Sequence, residues 1–192
     1  DTSFKTAPGP TLVDSVKAGE IYDARMEVVG WNGIDFNDSA WKNAVVAVGK
    51  MPSALPGLTA QLFEPIRIVE SVAPVSIEKI EDEENAWLID FGKTMAGNVD
   101  IKVRGEAGKR IRMNYLERKV SASGRPRWNN FNAQSTGAFQ TDVFIPKGGA
   151  EETFIPRYSY KGFRYLRVEG PTEKPTPDQF TAKVINSDMV QV

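Results

Sequence analysis

The chain has 192 residues, of which 41% are hydrophobic, and its 24 basic residues nearly balance 25 acidic ones. This length supports one compact body, and the near-neutral charge gives no field that would attract nucleic acid or an anionic membrane. The absence of cysteine and histidine excludes disulfides, thiolate nucleophiles, histidine triads and most zinc sites, and it leaves oxygen-bound ions such as calcium.

Strand-like segments separated by turns rich in Gly, Pro and Asn follow one another along the chain. Residues 1–11 resemble a linker or tail from a preceding domain, and residues 12–192 resemble a single β-sandwich domain. Strands are predicted at residues 20–28, 61–69, 75–80, 86–90, 98–104, 109–117, 139–145, 163–169 and 181–185. The pattern predicts an all-β fold and favours a jelly-roll-like antiparallel β-sandwich over a barrel.

Two neighbouring segments show the alternation of a strand with one buried face. Residues 98–104 place Val99, Ile101 and Val103 on one side, and residues 109–117 repeat the pattern after a Gly-bounded turn. We therefore predict that the two segments form a β-hairpin.

A third pattern lies between the first strands. Residues 37–45 are predicted to form a helix of one or two turns, which Asp38 or Ser39 could cap. Trp31 and Trp41 are both interpreted as core residues of the sandwich.

The chain starts at Asp1 without a signal segment, which indicates a processed protein or an excised piece. No apolar run reaches the roughly 18 residues of a membrane span, so we expect no membrane partner.

A series of short motifs follows in fixed order along the chain: Gly19–Arg25, Gly30–Trp31, Phe36–Trp41, Glu64–Arg67, Asp90–Gly92, Met95–Gly97, Thr141–Asp142, Pro156–Tyr158 and Gly162–Tyr165. Together they resemble the N-terminal and concanavalin-like region of bacterial α-L-rhamnosidases, which are inverting glycoside hydrolases. The resemblance covers almost the whole chain and implies a galactose-binding-like or concanavalin-like sandwich. Two positions depart from the common family pattern: Lys161 replaces a usual His, and Asn98 replaces a usual aromatic residue.

The resemblance also implies what this stretch of sequence lacks. In such enzymes an (α/α)₆ barrel carries the catalytic acids, and the β-patterned sequence up to Val192 cannot supply its dozen helices. We therefore expect no catalysis by this fragment, and we expect the barrel of the parent chain as a partner. The acids inside the motifs, Glu20, Asp23, Asp90 and Glu117, are interpreted as caps of turns or as partners of Arg25, Arg112 and Arg164 rather than as a catalytic pair.

The candidate ligand-binding residues fall in two places. The irregular loop 125–134 contains Trp128, Asn129 and Asn130, which suit stacking on a sugar and hydrogen bonding to its hydroxyl groups. A loop that packs on the barrel is the equal alternative. Asp23 and Arg25 would share one face of a strand, where they could bind a sugar diol or form a structural pair.

The resemblance suggests calcium, because rhamnose-binding modules of this family are associated with that ion. Asp23 is the first candidate for a calcium ligand, with Glu117 and the loop amides as weaker partners. Near the C-terminus, Phe163 and Tyr165 are predicted to pack on one face while Arg164 anchors a carboxylate.

Two functions follow from these observations. The first is a non-catalytic carbohydrate-binding or accessory domain of a bacterial α-L-rhamnosidase, an enzyme that acts on rhamnose-containing glycans. The alternative is a structural brace that packs on the catalytic barrel and has no sugar affinity. By resemblance alone, a secreted or periplasmic location in a bacterium is expected.

Overall fold

A computed structural model describes residues 2–45, 60–81, 83–119, 139–171 and 173–189. These residues are almost entirely β, with two short 3-10 helices at Ala24–Met26 and Pro177–Gln179, so the all-β prediction is confirmed. The strands are β1 (Lys5–Thr6), β2 (Thr11–Ser15), β3 (Gly19–Asp23), β4 (Lys42–Asn43), β5 (Ile66–Val72), β6 (Ser76–Lys79), β7 (Ala86–Val103), β8 (Ile111–Leu116), β9 (Thr141–Ile145), β10 (Glu152–Phe154), β11 (Lys161–Glu169) and β12 (Phe180–Ser187).

The main sheet follows the order β2-β3-β9-β8-β11-β7-β12-β5, and β6 and β10 also pair with β7. The first part of β7 pairs with β6 and β11, whereas its last part pairs with β12 and β10. Between these parts β7 shifts register against β11, and Gly92 adopts a positive φ of 79° there. Because such an irregularity bends a strand, the sheet curls over itself into the predicted β-sandwich.

The predicted hairpin of residues 98–104 and 109–117 is wrong. β7 and β8 are not neighbours, because β11 lies between them and bonds to both. The alternation is nevertheless present, since Val99, Ile101 and Met113 are fully buried. Alternation shows which face of a strand is buried, but it does not show which strand lies beside it.

The core lies between the two halves of the curled sheet. Phe163 is fully buried there, with its ring edge-on to Phe91 at 5.8 Å and to Tyr115 at 5.0 Å between centroids. Tyr165 instead packs on a smaller cluster with Leu88 and Leu116, because the register shift separates it from Phe163. The packing role of Phe163 is confirmed, but the shared face is not. The main cluster consists of Ala24, Ile89, Phe91, Met95, Val99, Ile101, Val103, Ile111, Met113, Tyr115, Phe144, Phe154, Phe163, Leu166, Val168, Phe180 and Ala182.

The helix predicted at residues 37–45 is also wrong. The side chain of Asn37 accepts a hydrogen bond from the backbone N–H of Ser39 at 3.1 Å, and Trp41 N–H donates to the carbonyl of Asp38, which closes a single turn before β4. Asn favours such a turn over a helix because its side chain competes for backbone groups. Trp41 is half-buried against Phe36, at 5.4 Å between ring centroids.

Several predicted strand limits shift. The strand predicted at residues 20–28 ends at Asp23, where the backbone turns into a 3-10 helix. The strands predicted at 86–90 and 98–104 are parts of the single strand β7. The sequence did not predict the short strands β1, β2, β4 and β10. The division into residues 1–11 and 12–192 stays a prediction.

Candidate functional site

Asp23 and Arg25 lie together at the end of β3. Arg25 donates to both carboxylate oxygens of Asp23, from Nε at 2.9 Å and from an Nη at 2.7 Å, and its backbone N–H adds a third bond. These hydrogen bonds from Arg25 hold the pKa of the Asp23 carboxyl below its ordinary value, and Asp23 is buried. The pair therefore stabilises the turn after β3, and a calcium role for Asp23 stays a prediction.

Glu117, a second predicted ligand, does not lie near Asp23. Asp23 pairs with Ile145, and the adjacent residue of β9 pairs with Ile111, the first residue of β8. Glu117 follows the opposite end of β8, roughly 20 Å away at about 3.4 Å per residue, and it is exposed. Trp128, Asn129 and Asn130 lie outside the described residues. In the described part of the chain, no three acidic side chains cluster as a metal site would require.

A charged cluster that the sequence interpretation missed lies inside the sandwich. The ammonium of Lys161 donates to both oxygens of Asp142, at 2.7 and 2.6 Å, and to the hydroxyl of Ser159 at 2.8 Å. Asp142 also accepts the Tyr115 hydroxyl at 2.9 Å and the backbone N–H of Glu20 at 2.8 Å. The Lys161 and Asp142 side chains are 1% and 0% exposed. The cluster is sealed, so its role is structural.

Burial and ion pairing shift the pKa of Lys161 in opposite directions. Burial lowers the pKa of Lys161, whereas the neighbouring Asp142 carboxylate raises it, and burial is the larger cause. Burial also raises the pKa of Tyr115, which keeps the hydroxyl protonated as a donor to Asp142. Both oxygens of the Asp142 carboxylate accept hydrogen bonds from donors in the cluster. Such full pairing is the condition under which a protein interior tolerates a buried charge.

Asp90 and Arg164 form a second fork-shaped pair, with Nε to oxygen at 2.8 Å and Nη to oxygen at 2.9 Å. The pair links β7 to β11, and the Arg164 guanidinium lies 5.0 Å from the centre of the Tyr165 ring. The Arg164 hydrogen bonds hold the pKa of Asp90 below its ordinary value. The prediction that Arg164 anchors a carboxylate is confirmed.

A set of apolar residues around β5 lies exposed at the end of the strand order. We call Leu62, Phe63, Ile66 and Ile68 the β5 patch; their exposure ranges from 58% to 85%. β5 pairs with β12 alone among the described strands, so its outer edge has no strand partner there. Exposed apolar side chains on an open edge are typical of a surface that another polypeptide covers.

Trp31 lies in a second exposed segment. It is 61% exposed, which makes its predicted core role wrong, and Val29 and Ile34 beside it are almost completely exposed. The residues around it form successive turns, closed by bonds such as Gly33 N–H to the carbonyl of Gly30 at 2.8 Å. Turns project side chains outward, whereas the core interpretation assumed that Trp31 faced a sheet.

Within the described residues, no helix is long and apolar enough to cross a membrane. The described residues form an all-β sandwich domain with a charged centre that is closed to solvent. The family model of the bacterial alpha-L-rhamnosidase concanavalin-like domain matches residues 80–186, and that of the alpha-L-rhamnosidase N-terminal domain matches residues 1–70. The chain therefore belongs to the bacterial alpha-L-rhamnosidase concanavalin-like family, as the motifs predicted.

Individual relatives agree with this assignment. An alpha-L-rhamnosidase of Streptomyces avermitilis is 31% identical over 96% of this chain and 17% of its own length. The structure of that organism's alpha-L-rhamnosidase complexed with L-rhamnose has a TM-score of 0.82. The alpha-L-rhamnosidase from Dictyoglumus thermophilum has a TM-score of 0.84 at 36% identity, over 98% of this chain and 20% of that one. The chain thus spans about a fifth of the length of these relatives.

The buried cluster left a signal in the sequence. Asp142 alternates with Thr141 and Val143 in a strand, so the period of two places it on the same face as Phe144. A charge on the face of a core aromatic residue indicates a buried ion pair, and Lys161 at the start of an aromatic-rich strand is its complement. The exposed β5 patch had no comparable signal, because an apolar strand is typical of a core.

We expect Lys161→Met to lower the free energy of unfolding by about 3–5 kcal/mol, because it leaves the Asp142 carboxylate buried without its counter-ion. Adding Asp142→Asn should restore part of that loss. Denaturant unfolding measures both effects. Lys93→Met is the matched control, because Lys93 pairs with Glu70 at 2.6 Å with both side chains half exposed, and it should cost at most about 1 kcal/mol. Equal losses at the two lysines would contradict the buried-pair account.

Proposed function

We propose that this chain is a non-catalytic accessory β-sandwich of an α-L-rhamnosidase and that it braces the rest of a longer polypeptide. The β5 patch is the observation that carries this proposal. The family assignment and the fact that relatives are about five times longer support it. In this account the enzyme's chemistry takes place outside these residues, and the sandwich supplies a rigid apolar surface.

The position of the patch favours a polypeptide that continues from β12. Beyond β12, the backbone N–H of Asp188 donates to the carbonyl of Pro65 at 2.9 Å, and Arg67 pairs with the Asp188 carboxylate at 2.5 Å. These contacts hold the end of β12 beside Ile66, at the start of the exposed edge. Residues that follow β12 in a longer chain therefore emerge next to the apolar side chains that need a cover.

The charges around the patch indicate what kind of surface covers it. Arg67 is paired with Asp188, and Glu70 is paired with Lys93 at 2.6 Å. Because Arg67 and Glu70 already have partners, the covering surface requires mainly an apolar complement. Full burial of an Ile, Leu or Phe side chain contributes about 1.5–3 kcal/mol, so four such residues provide a substantial driving force for packing.

Three of the carboxylates in the sandwich support a non-catalytic role. Glycoside hydrolysis requires one protonated acid and one free carboxylate across the scissile bond. Asp23, Asp90 and Asp142 each bind a cationic side chain. The lowered pKa of Asp23 and of Asp90 favours their ionised forms, which is the wrong direction for a general acid.

We expect Ile68→Glu to leave the stability of the isolated chain within about 0.5 kcal/mol of wild type, because Ile68 is exposed there. In the full-length enzyme that contains this chain, the same change should lower the melting temperature by several degrees, because it would place a charge in the interface. Calorimetric melting of both proteins measures the difference.

Ile34→Glu is the control, since Ile34 is fully exposed and lies outside the β5 patch. It should change neither protein. An Ile68→Glu enzyme that melts at the wild-type temperature would overturn the brace proposal.

Sugar binding is a second candidate, favoured by the exposed indole of Trp31 and by the polar loop around Trp128. Exposed tryptophan rings stack on sugar faces, and the Streptomyces avermitilis relative was solved with L-rhamnose. Under this candidate a rhamnose-containing glycan is the ligand, with calcium bound at Asp23. A secreted or periplasmic location would suit such a ligand.

This candidate predicts heat when L-rhamnose is titrated into the chain with calcium, and none with galactose or with a chelator. Trp128→Ala should remove the heat if the loop binds the sugar, and Trp31→Ala should remove it if the exposed turns do. A calorimetric titration without heat from either sugar would contradict sugar binding and leave the brace as the function.

A further inference from the structure

Residues 10–27 match the N-terminal family, yet their strands β2 and β3 join a sheet in which β7, β8, β9, β10 and β11 lie within the residues that match the concanavalin-like family. We call these residues the N-terminal clip. Their strands β2 and β3 form an antiparallel pair, and β3 lies parallel to β9, with Ile21 beside Val143. Parallel neighbours cannot be joined by a tight turn, so the clip reaches its place from elsewhere in the chain.

The clip approaches β9 too closely for an ordinary residue. Gly19 has a φ of 112°, and a Cβ atom there would lie 2.1 Å from the carbonyl oxygen of Thr141. Just before Gly19, the carbonyl of Ala18 accepts the N–H of Thr141 at 2.8 Å, and the carbonyl of Lys17 accepts the N–H of Gln140 at 2.9 Å. The close contact with β9 therefore requires a glycine at position 19.

Glu20 then connects the clip to the sealed cluster. Its backbone N–H donates to Asp142 at 2.8 Å, and its carboxylate accepts the backbone N–H groups of Arg157 at 2.9 Å and Tyr158 at 3.4 Å. Glu20 is 1% exposed. A buried carboxylate held by two backbone donors makes bonds stronger than neutral ones, so this contact fixes the register of β3.

Apolar contacts and one surface ion pair also hold the clip to the sandwich. The Tyr22 ring packs on Phe144 and Phe154, at 6.2 and 5.7 Å between centroids, and Ala24 is buried in the main core. Farther along, Lys147 pairs with Glu27 at 2.7 Å. The clip is therefore held to the sandwich by a close glycine contact, by the buried Glu20 carboxylate and by the packing of Tyr22.

We infer that the N-terminal clip is a docking segment that locks the N-terminal family region to the sandwich, so that the two regions move as one body. The surface that receives it consists of the β9 edge, Asp142 and the amides of Arg157 and Tyr158. The lock is non-covalent and does not depend on the chain being continuous between the clip and β5. It also does not depend on which surface the rest of a longer polypeptide covers.

The test uses the whole chain with a recognition sequence for a site-specific protease inserted after Asn32, within the exposed turns. After complete cleavage, the two pieces should co-elute on gel filtration in neutral buffer. Exchange of an isotope-labelled N-terminal piece against unlabelled excess, followed by mass spectrometry, gives the rate of release. Separation of the wild-type pieces immediately after cleavage would overturn the inference.

Glu20→Gln should accelerate release about tenfold or more, because it removes the charge that strengthens the bonds to the two amides. Asp14→Asn is the matched control, since Asp14 lies in β2 of the same clip with its side chain exposed. It should release at the wild-type rate. Equal release rates for Glu20→Gln and Asp14→Asn would show that Glu20 does not anchor the clip. That result would overturn the assigned docking surface.

Discussion

The Asp142 carboxylate binds groups from three other strands at once, and the arrangement of the sandwich depends on it. It receives the Lys161 ammonium from β11, the Tyr115 hydroxyl from β8 and the Glu20 backbone N–H from β3. A buried carboxylate without these donors would destabilise the fold by several kcal/mol. The four strands must therefore meet in one register, which is a requirement that apolar packing alone imposes only weakly.

This closed centre contrasts with the open edge at β5, and the contrast accounts for the division of roles. Both oxygens of the buried Asp142 carboxylate accept hydrogen bonds, so this group holds the strands together. The apolar side chains of the β5 patch have no cover among the described residues, although Arg67 and Glu70 beside them are paired. We propose that this body braces a neighbour through its apolar edge and that the N-terminal clip holds the N-terminal family region to it.

Local patterns predicted the burial of Val99, Ile101 and Met113 and the anchoring of a carboxylate by Arg164, because both follow from alternation and from complementary charges in strands. The pairing of β7 with β11, instead of β8, could not be predicted, since it depends on contacts between residues far apart in sequence. Trp31 was misplaced because an aromatic residue in a family motif suits either a core or an exposed turn. The motifs predicted the family correctly, whereas the predicted ligands Asp23 and Glu117 lie at opposite ends of β8.

Hydrogen exchange of the backbone amides in the intact chain tests the central claim most directly. If Asp142 couples the strands, the amides of Glu20 and Asp23 in β3 should exchange as slowly as those of Val143 and Phe144 in β9, and Asp142→Asn should accelerate all four together. Fast exchange of the β3 amides beside a protected β9 would contradict the account, because the N-terminal strands would then open independently of the sandwich.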